Sequence, residues 1–251
     1  MSKIALITGA SAGIGEACAH LFAEQNYNLI LLARRTEKLE ELAETFRTKY
    51  GIEVRTLTAD VGNKEDVLQL EGLSDDWKKV DVLVNNAGLS QGLDPIQEGN
   101  TDDWDTMIDT NVKGLLYITR VVSPWMVMRK SGHIINIGSI ARKETYANGN
   151  VYCATKHAVD SLNKAMRIDL LPYGVKVTGI HPGAVETEFS EVRFKGDVER
   201  AKKVYEGFEP LHARDIAEAI WFAVNRPAHV NINDMLIMPT AQANTTHLIK
   251  N

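Results

Sequence analysis

At 251 residues, with 44% hydrophobic and 24% charged residues and only 7 prolines, the chain has the composition of an ordinary globular protein with ample material for a core, which argues against disorder. A net charge of −5 without a strong basic cluster argues against binding nucleic acid or an anionic membrane surface, both of which need concentrated positive charge. No apolar run approaches membrane-spanning length, Met1-Ser2-Lys3 leaves no room for a signal peptide before the first strand, and two distant cysteines, Cys18 and Cys153, suggest neither a disulfide framework nor a metal site, so a reducing cytoplasm is expected.

In chain order, strands are predicted at Ile4 to Thr8, Asn28 to Ala33, Val54 to Thr58, Val82 to Asn85, His133 to Gly138, Val175 to Ile180 and Met235 to Met238. Helices are predicted between them at Gly13 to Gln25, Thr36 to Tyr50, Thr101 to Val121, Val151 to Leu171 and Asp215 to Asn225, with Thr36, Thr101 and Asp215 as candidate caps. Strands alternating with helices predict an α/β fold, a doubly wound parallel sheet covered on both faces, because parallel strands need crossover connections. One domain over 1–251 accounts for the pattern, without repeats or linkers. Residues 186–214 have no clear strand, are polar and charged, and read as a candidate substrate lid.

The first strand runs into Thr8-Gly9-Ala10-Ser11-Ala12-Gly13-Ile14-Gly15, which opens a helix. Glycines allow a tight turn and close approach of the backbone, and the amides and positive dipole end of a helix favour a pyrophosphate. Gly9, Ser11, Gly13, Ile14 and Gly15 are therefore candidate cofactor contacts, although the spacing departs from G-x-G-x-x-G. About twenty residues on, the second strand ends in Arg34-Arg35, where an acid would select NAD and an arginine accommodates the extra phosphate of NADP. NADP is the expected cofactor.

Tyr152 and Lys156 stand four apart and share one helix face. Lowering a phenol from ~10 by two or three units takes roughly 3 to 4 kcal/mol, about what an ammonium ~4 Å away supplies at an effective dielectric of ~20. Ser139 follows an apolar parallel strand at the end where ligands of such sheets bind and can hold a substrate oxygen, though a turn or cap would also use it. Asn111 is an unusual choice within a helix, which suggests a buried polar task, and Asn85-Asn86-Ala87-Gly88 ends another strand on the same side. Cys153 adjoins Tyr152 but reads as packing.

Taken together, Gly9, Gly13 and Gly15, Asn85 to Gly88, Asn111, Ser139, Tyr152 with Lys156, and His181-Pro182-Gly183 resemble the short-chain dehydrogenase/reductase family over nearly the whole chain. The resemblance implies a seven-stranded Rossmann sheet and a tetrad: Tyr152 as acid/base, Lys156 lowering its pKa and binding the nicotinamide ribose, Ser139 polarising the reacting oxygen, and Asn111 holding a relay water. It further implies Asp60 and Val61 at the adenine, Asn86, Ala87 and Gly88 along the ribose, Pro182, Gly183, Val185 and Thr187 beside the nicotinamide, and a homotetramer. Glu188 to Asp197, Pro227 to Asn233 and Met238 to Gln242 are similar to a subgroup of NADP-dependent 3-hydroxy acid dehydrogenases, which oxidise serine, allo-threonine and related acids such as 3-hydroxypropionate.

Arg193, with Lys195 nearby, could clamp a substrate carboxylate from the lid, unless this is simply a solvated charged loop. A reductase for uncharged ketones, aldehydes or sugars would use the same machinery. A cofactor-sensing protein without turnover is a further alternative, against which the tuned proton donor argues.

Overall fold

The computed structural model describes residues 2–251. Its elements are β1 (Ile4–Thr8), α1 (Gly13–Glu24), β2 (Asn28–Ala33), α2 (Thr36–Tyr50), β3 (Val54–Thr58), α3 (Lys64–Leu68), β4 (Val80–Asn85), α4 (Thr101–Ile108), α5 (Leu115–Arg129) and β5 (Gly132–Ile137). There follow α6 (Asn150–Leu170), β6 (Val175–Pro182), β7 (Val185–Glu186), α7 (Phe189–Arg193), α8 (Val198–Lys203), β8 (Leu211–His212), α9 (Ala213–Val224) and β9 (Asp234–Ile237). Seven strands form one parallel sheet in the order β3-β2-β1-β4-β5-β6-β9.

The strands read as apolar runs because both faces are covered. Side chains alternate across the pleat, so Ala5 and Ile7 of β1 pack with Phe22 of α1, Phe46 of α2 and Ile220 of α9, whereas Ile4 and Leu6 pack with the opposite layer, including Val122 of α5 and Met166 of α6. Cys18 and Cys153 are buried free thiols. No described helix is long and apolar enough to cross a membrane.

The chain builds outward from β1 through β2 to β3, then crosses to β4 on the other side of β1. This reversal opens a crevice above the carboxyl ends of β1 and β4, the place where open α/β sheets bind ligands.

Several elements differ from expectation. The predicted helix Thr101 to Val121 is split by a π-helical turn over Asp109–Gly114. A wider turn admits one extra residue and re-aims its side chains. Here Asn111 points inward, and Gly114 lies so close to Val61 that a Cβ would stand 2.7 Å from its Cγ2. β4 begins at Val80, because the polar Asp81 that interrupts the apolar pattern accepts the Ile4 amide at 2.8 Å. Residues 186–214 hold two short helices, and a two-residue parallel pair, Val185 with Leu211 and Glu186 with His212, closes their base. Caps sit outside the expected residues: Asn100 accepts Asp102 N at 2.8 Å, and Asp215 accepts the amide of the capping residue His212 at 2.8 Å. Thr36 instead pairs its hydroxyl with that of Thr58.

Gly15 is needed for packing, since a Cβ there would lie 2.2 Å from the Gly9 carbonyl oxygen. Gly15→Ala must push α1 away from the β1 end, and a loss of about 1–3 kcal/mol is expected in urea unfolding; an unchanged midpoint would contradict the close approach.

Candidate active site

A cleft of about 670 Å³ opens above the reversal in strand order. Its floor is the turn after β1, where Gly9 and Gly13 adopt left-handed backbone with φ of 64° and 53°. The short helices α3 and α4 begin under the side-chain oxygens of Asn63 and Asn100, but Ala12, at the start of α1, offers no side-chain cap. The first amides of this twelve-residue helix are thus without a side-chain cap, as at helix starts that accept an anion. Ser11, Gly13 and Ile14 line the cleft there, and Gly15 does not.

At one end of the cleft lie Arg34, Arg35, Asp60 and Val61. Arg35 donates to the Ser11 hydroxyl and carbonyl, and Arg34 lies 3.8 Å from Asp60. Asn86, Ala87 and Gly88 form the wall, and Pro182, Gly183, Val185 and Thr187 follow β6 on the far side. The donor-rich turn, uncapped helix and paired arginines suit a dinucleotide with an additional phosphate.

Ser139, Tyr152 and Lys156 meet at the other end, brought from the β5 terminus and from α6. Ser139 Oγ accepts the Ala141 amide at 3.1 Å and stands near enough to the Tyr152 phenol to favour its ionised form. The Lys156 ammonium donates to the Ile137 carbonyl at 3.0 Å and lies 5.8 Å from the centre of the Tyr152 ring. Burial lowers its pKa from 10.5 to about 8.

Burial raises the Tyr152 phenol, and the groups that oppose it are the Arg193 guanidinium and the Ser139 hydroxyl. Lys156 turns its ammonium to the end of β5, which spacing along α6 could not reveal. Asn111 does not line the cleft. Its Oδ1 accepts Leu89 N at 2.8 Å, and its Nδ2 donates to Leu89 O at 2.8 Å and to Thr155 Oγ1 at 3.1 Å, so it clamps the segment after β4 to α6. Burial raises the Cys153 thiol, in keeping with a packing role.

Arg193, at the end of α7, lies inside the cleft. Its guanidinium stands 5.4 Å from the Tyr152 ring centre and 5.0 Å from that of Phe189, and it donates to the Tyr146 hydroxyl at 3.1 Å. Its Nε is buried without a partner. Lys195 does not share this site and pairs instead with Asp103 at 2.8 Å. Tyr146 and Phe189 escaped the sequence reading because both sit in irregular or very short segments whose apolar residues show no period.

Asp160, His181 and Asp234 present ligand atoms within 4.8 Å of one another, a grouping a cation could use. Arg142 already supplies positive charge: it bonds Asp160 and lies 3.7 Å from Asp234, which accepts from or faces His181 Nε2 at 3.1 Å. Burial and Arg142 push His181 down to about 4. The cluster therefore ties the turn after Ser139 to α6, β6 and β9.

The sequence profile of the short chain dehydrogenase family matches residues 3–197. Over 242 residues the chain is 48% identical to the NADP-dependent 3-hydroxy acid dehydrogenase YdfG of Salmonella typhi, covering 96% of each. It is 42% identical over 245 residues to sulfoacetaldehyde reductase 2 of Chromohalobacter salexigens, covering 97% of this chain and 96% of that one. Among solved structures it is similar to the closed form of serine dehydrogenase complexed with NADP+, with a TM-score of 0.92, 44% identity and 99% of each chain covered.

Lys156 yields a pH-dependent expectation. Its folded pKa, about 8, lies below the ordinary 10.5, so the folded state binds fewer protons in that window and stability rises with pH across it. Below the window the cost of the buried charge, on the order of 3 kcal/mol, is fully present. Lys156→Met is thus expected to melt higher than the parent at neutral pH, with the gain shrinking between about pH 8 and pH 10; a variant that melts lower throughout would show that the ammonium is not under strain.

Proposed function

This chain belongs to the short-chain dehydrogenase family, and we propose that it interconverts a small 3-hydroxy acid, of the serine, allo-threonine or 3-hydroxypropionate type, with its 3-oxo counterpart. It is an NADP-dependent oxidoreductase. The observation that carries the substrate class is the half-buried Arg193, whose Nε is buried without a partner beside the Tyr152 ring. A buried N–H donor left without a partner is costly, and a substrate anion would satisfy it. Similarity to sulfoacetaldehyde reductase 2 points the same way. In sulfoacetaldehyde the sulfonate sulfur stands two bonds from the reacting carbon, as the carboxylate carbon does in a 3-hydroxy acid.

Gly9, Ser11, Gly13 and Ile14 would hold the pyrophosphate at the uncapped start of α1, with Gly15 keeping the helix close behind. Arg34 and Arg35 would hold the 2′-phosphate, Asp60 and Val61 the adenine, and Asn86, Ala87, Gly88 and Lys156 the ribose side, with Pro182, Gly183, Val185 and Thr187 around the nicotinamide. When bound, the nicotinamide supplies or takes up the hydride at the substrate's oxygen-bearing carbon.

In this proposal Ser139 orients the substrate oxygen and Tyr152 exchanges the proton with it. Burial keeps the phenol protonated near neutrality, the form that donates to a carbonyl oxygen as the alcohol forms. Oxidation runs through the phenolate, which the positive charge of Arg193 favours. Asn111 acts by fixing Leu89 against α6. A homotetramer is part of the proposal, supported by Met128, Ile168 and Leu171 exposed on α5, α6 and the turn after α6. So is a reducing cytoplasm, where Cys18 and Cys153 stay thiols.

Tyr152→Phe is expected to bind NADP as the parent does while losing a factor of ~100 to 10,000 in turnover; retention of most activity refutes the proton role. Arg193→Ala is expected to raise KM about tenfold or more for serine or 3-hydroxypropionate and much less for a neutral ketone of similar size, since it removes a charge-assisted pair only the acid makes. Equal effects on both substrates would refute the anion site.

A further inference from the structure

Arg35 is already engaged from two sides. Its Nε donates to Ser11 Oγ at 3.2 Å and one terminal nitrogen to the Ser11 carbonyl at 2.7 Å, which sets the guanidinium beside the glycine turn. Its other terminal nitrogen faces the Glu188 carboxylate, 3.1 Å from one oxygen and 3.4 Å from the other. Glu188 immediately precedes α7 and lines the same cleft from the opposite rim. The two side chains are 45% and 54% exposed, so water can replace either partner and the pair is an exchangeable contact.

The Ser11 bonds and the Glu188 bond differ in kind. Ser11 orients the guanidinium without neutralising it, whereas Glu188 occupies part of its hydrogen-bonding edge with a full negative charge. A 2′-phosphate arriving at Arg35 brings a second anion to that edge. Phosphate and carboxylate then compete for the same donors and repel each other. A nucleotide without the 2′-phosphate leaves the pair undisturbed.

We propose that Glu188 is a specificity-determining residue for the cofactor: its carboxylate competes with the 2′-phosphate for Arg35 and lowers the affinity for NADP below what the two arginines alone would give. The inference rests on the reading of Arg34 and Arg35 as the 2′-phosphate site. Its consequence is that the NADP preference is set across the cleft, by the first turn of the 186–214 segment as well as by the end of β2.

Calorimetric titration of the full chain with adenosine 2′,5′-bisphosphate and with 5′-AMP, which share the adenosine end and differ in the 2′-phosphate, tests this. Glu188→Gln is expected to bind the bisphosphate about two- to fivefold more tightly and 5′-AMP unchanged. Glu188→Asp, which keeps the charge, is expected to stay near the parent. The gain should shrink between roughly 0.05 and 0.5 M salt, since exposed charges are screened over a few ångströms at the higher value. Unchanged or weaker bisphosphate binding by Glu188→Gln overturns the proposal. So does an equal gain for both nucleotides, or one that salt leaves untouched, because either marks a change of shape and no charge competition. If the parent itself binds the two nucleotides equally, the 2′-phosphate site is misassigned and the proposal falls with it.

Discussion

The hydroxyl of Thr8 sits between the ends of β1 and β4, neighbouring strands that lie far apart in the chain. It accepts the amides of Asn86 and Ala87 at 3.0 Å each and donates to Val84 O at 3.3 Å. Asn86 returns the contact, with its Nδ2 donating to Thr8 O at 2.9 Å and reaching Gly9 O at 3.3 Å. Leaving such buried groups unpaired would cost on the order of 1–3 kcal/mol each, so β1 and β4 stay locked together where the strand order reverses. Position 9 needs glycine, because φ is positive there and a Cβ would meet Asn86 Nδ2 at 2.9 Å, and this turn delivers the start of α1 to the cleft. The crevice, the glycine turn and the free helix amides all follow from this knot.

At the reacting end, burial and charge oppose each other. Lys156 and Tyr152 are nearly inaccessible, which shifts the lysine toward its neutral form and the tyrosine toward its protonated one. Arg193 partly offsets this from the lid side. The same guanidinium that pulls on the phenol is the one left with an unpartnered nitrogen, so in the proposed function substrate recognition and proton chemistry would share a charge. An anion bound to Arg193 would weaken its pull on Tyr152, coupling the presence of substrate to the strength of the acid.

The segment over the cleft is held at both rims. Glu188 reaches Arg35, and farther on the Arg193 carbonyl accepts Gly92 N at 3.1 Å and Lys195 pairs with buried Asp103. Beneath it, the Arg142 cluster links the Ser139 turn to α6 and to the strands that lead to Pro182 and Asp234. His181 is wedged so closely that a Cβ on Gly138 would lie 2.1 Å from its Nδ1. The residue before Ser139 and the residue before Pro182 are thus in direct contact, which keeps the two sides of the cleft in register.

Much of this was legible in the chain itself. Doubly covered strands are apolar throughout, glycine stands where the turn after β1 needs positive φ or the backbone is crowded, and two arginines after β2 suit an anion; such local requirements carried the sheet, the turn and the family resemblance. The sequence also placed Ser139, Tyr152, Lys156 and Arg193 on elements that converge. Tertiary structure alone decided where their charges act. The ammonium of Lys156 is drawn to Ile137, Asn111 faces inward from a π-helical turn that interrupts its helix, and Arg193 meets Tyr146, Phe189 and Tyr152 from a five-residue helix with no pattern of its own. Burial and long-range charge are properties of the packed whole, and spacing along one element carries neither.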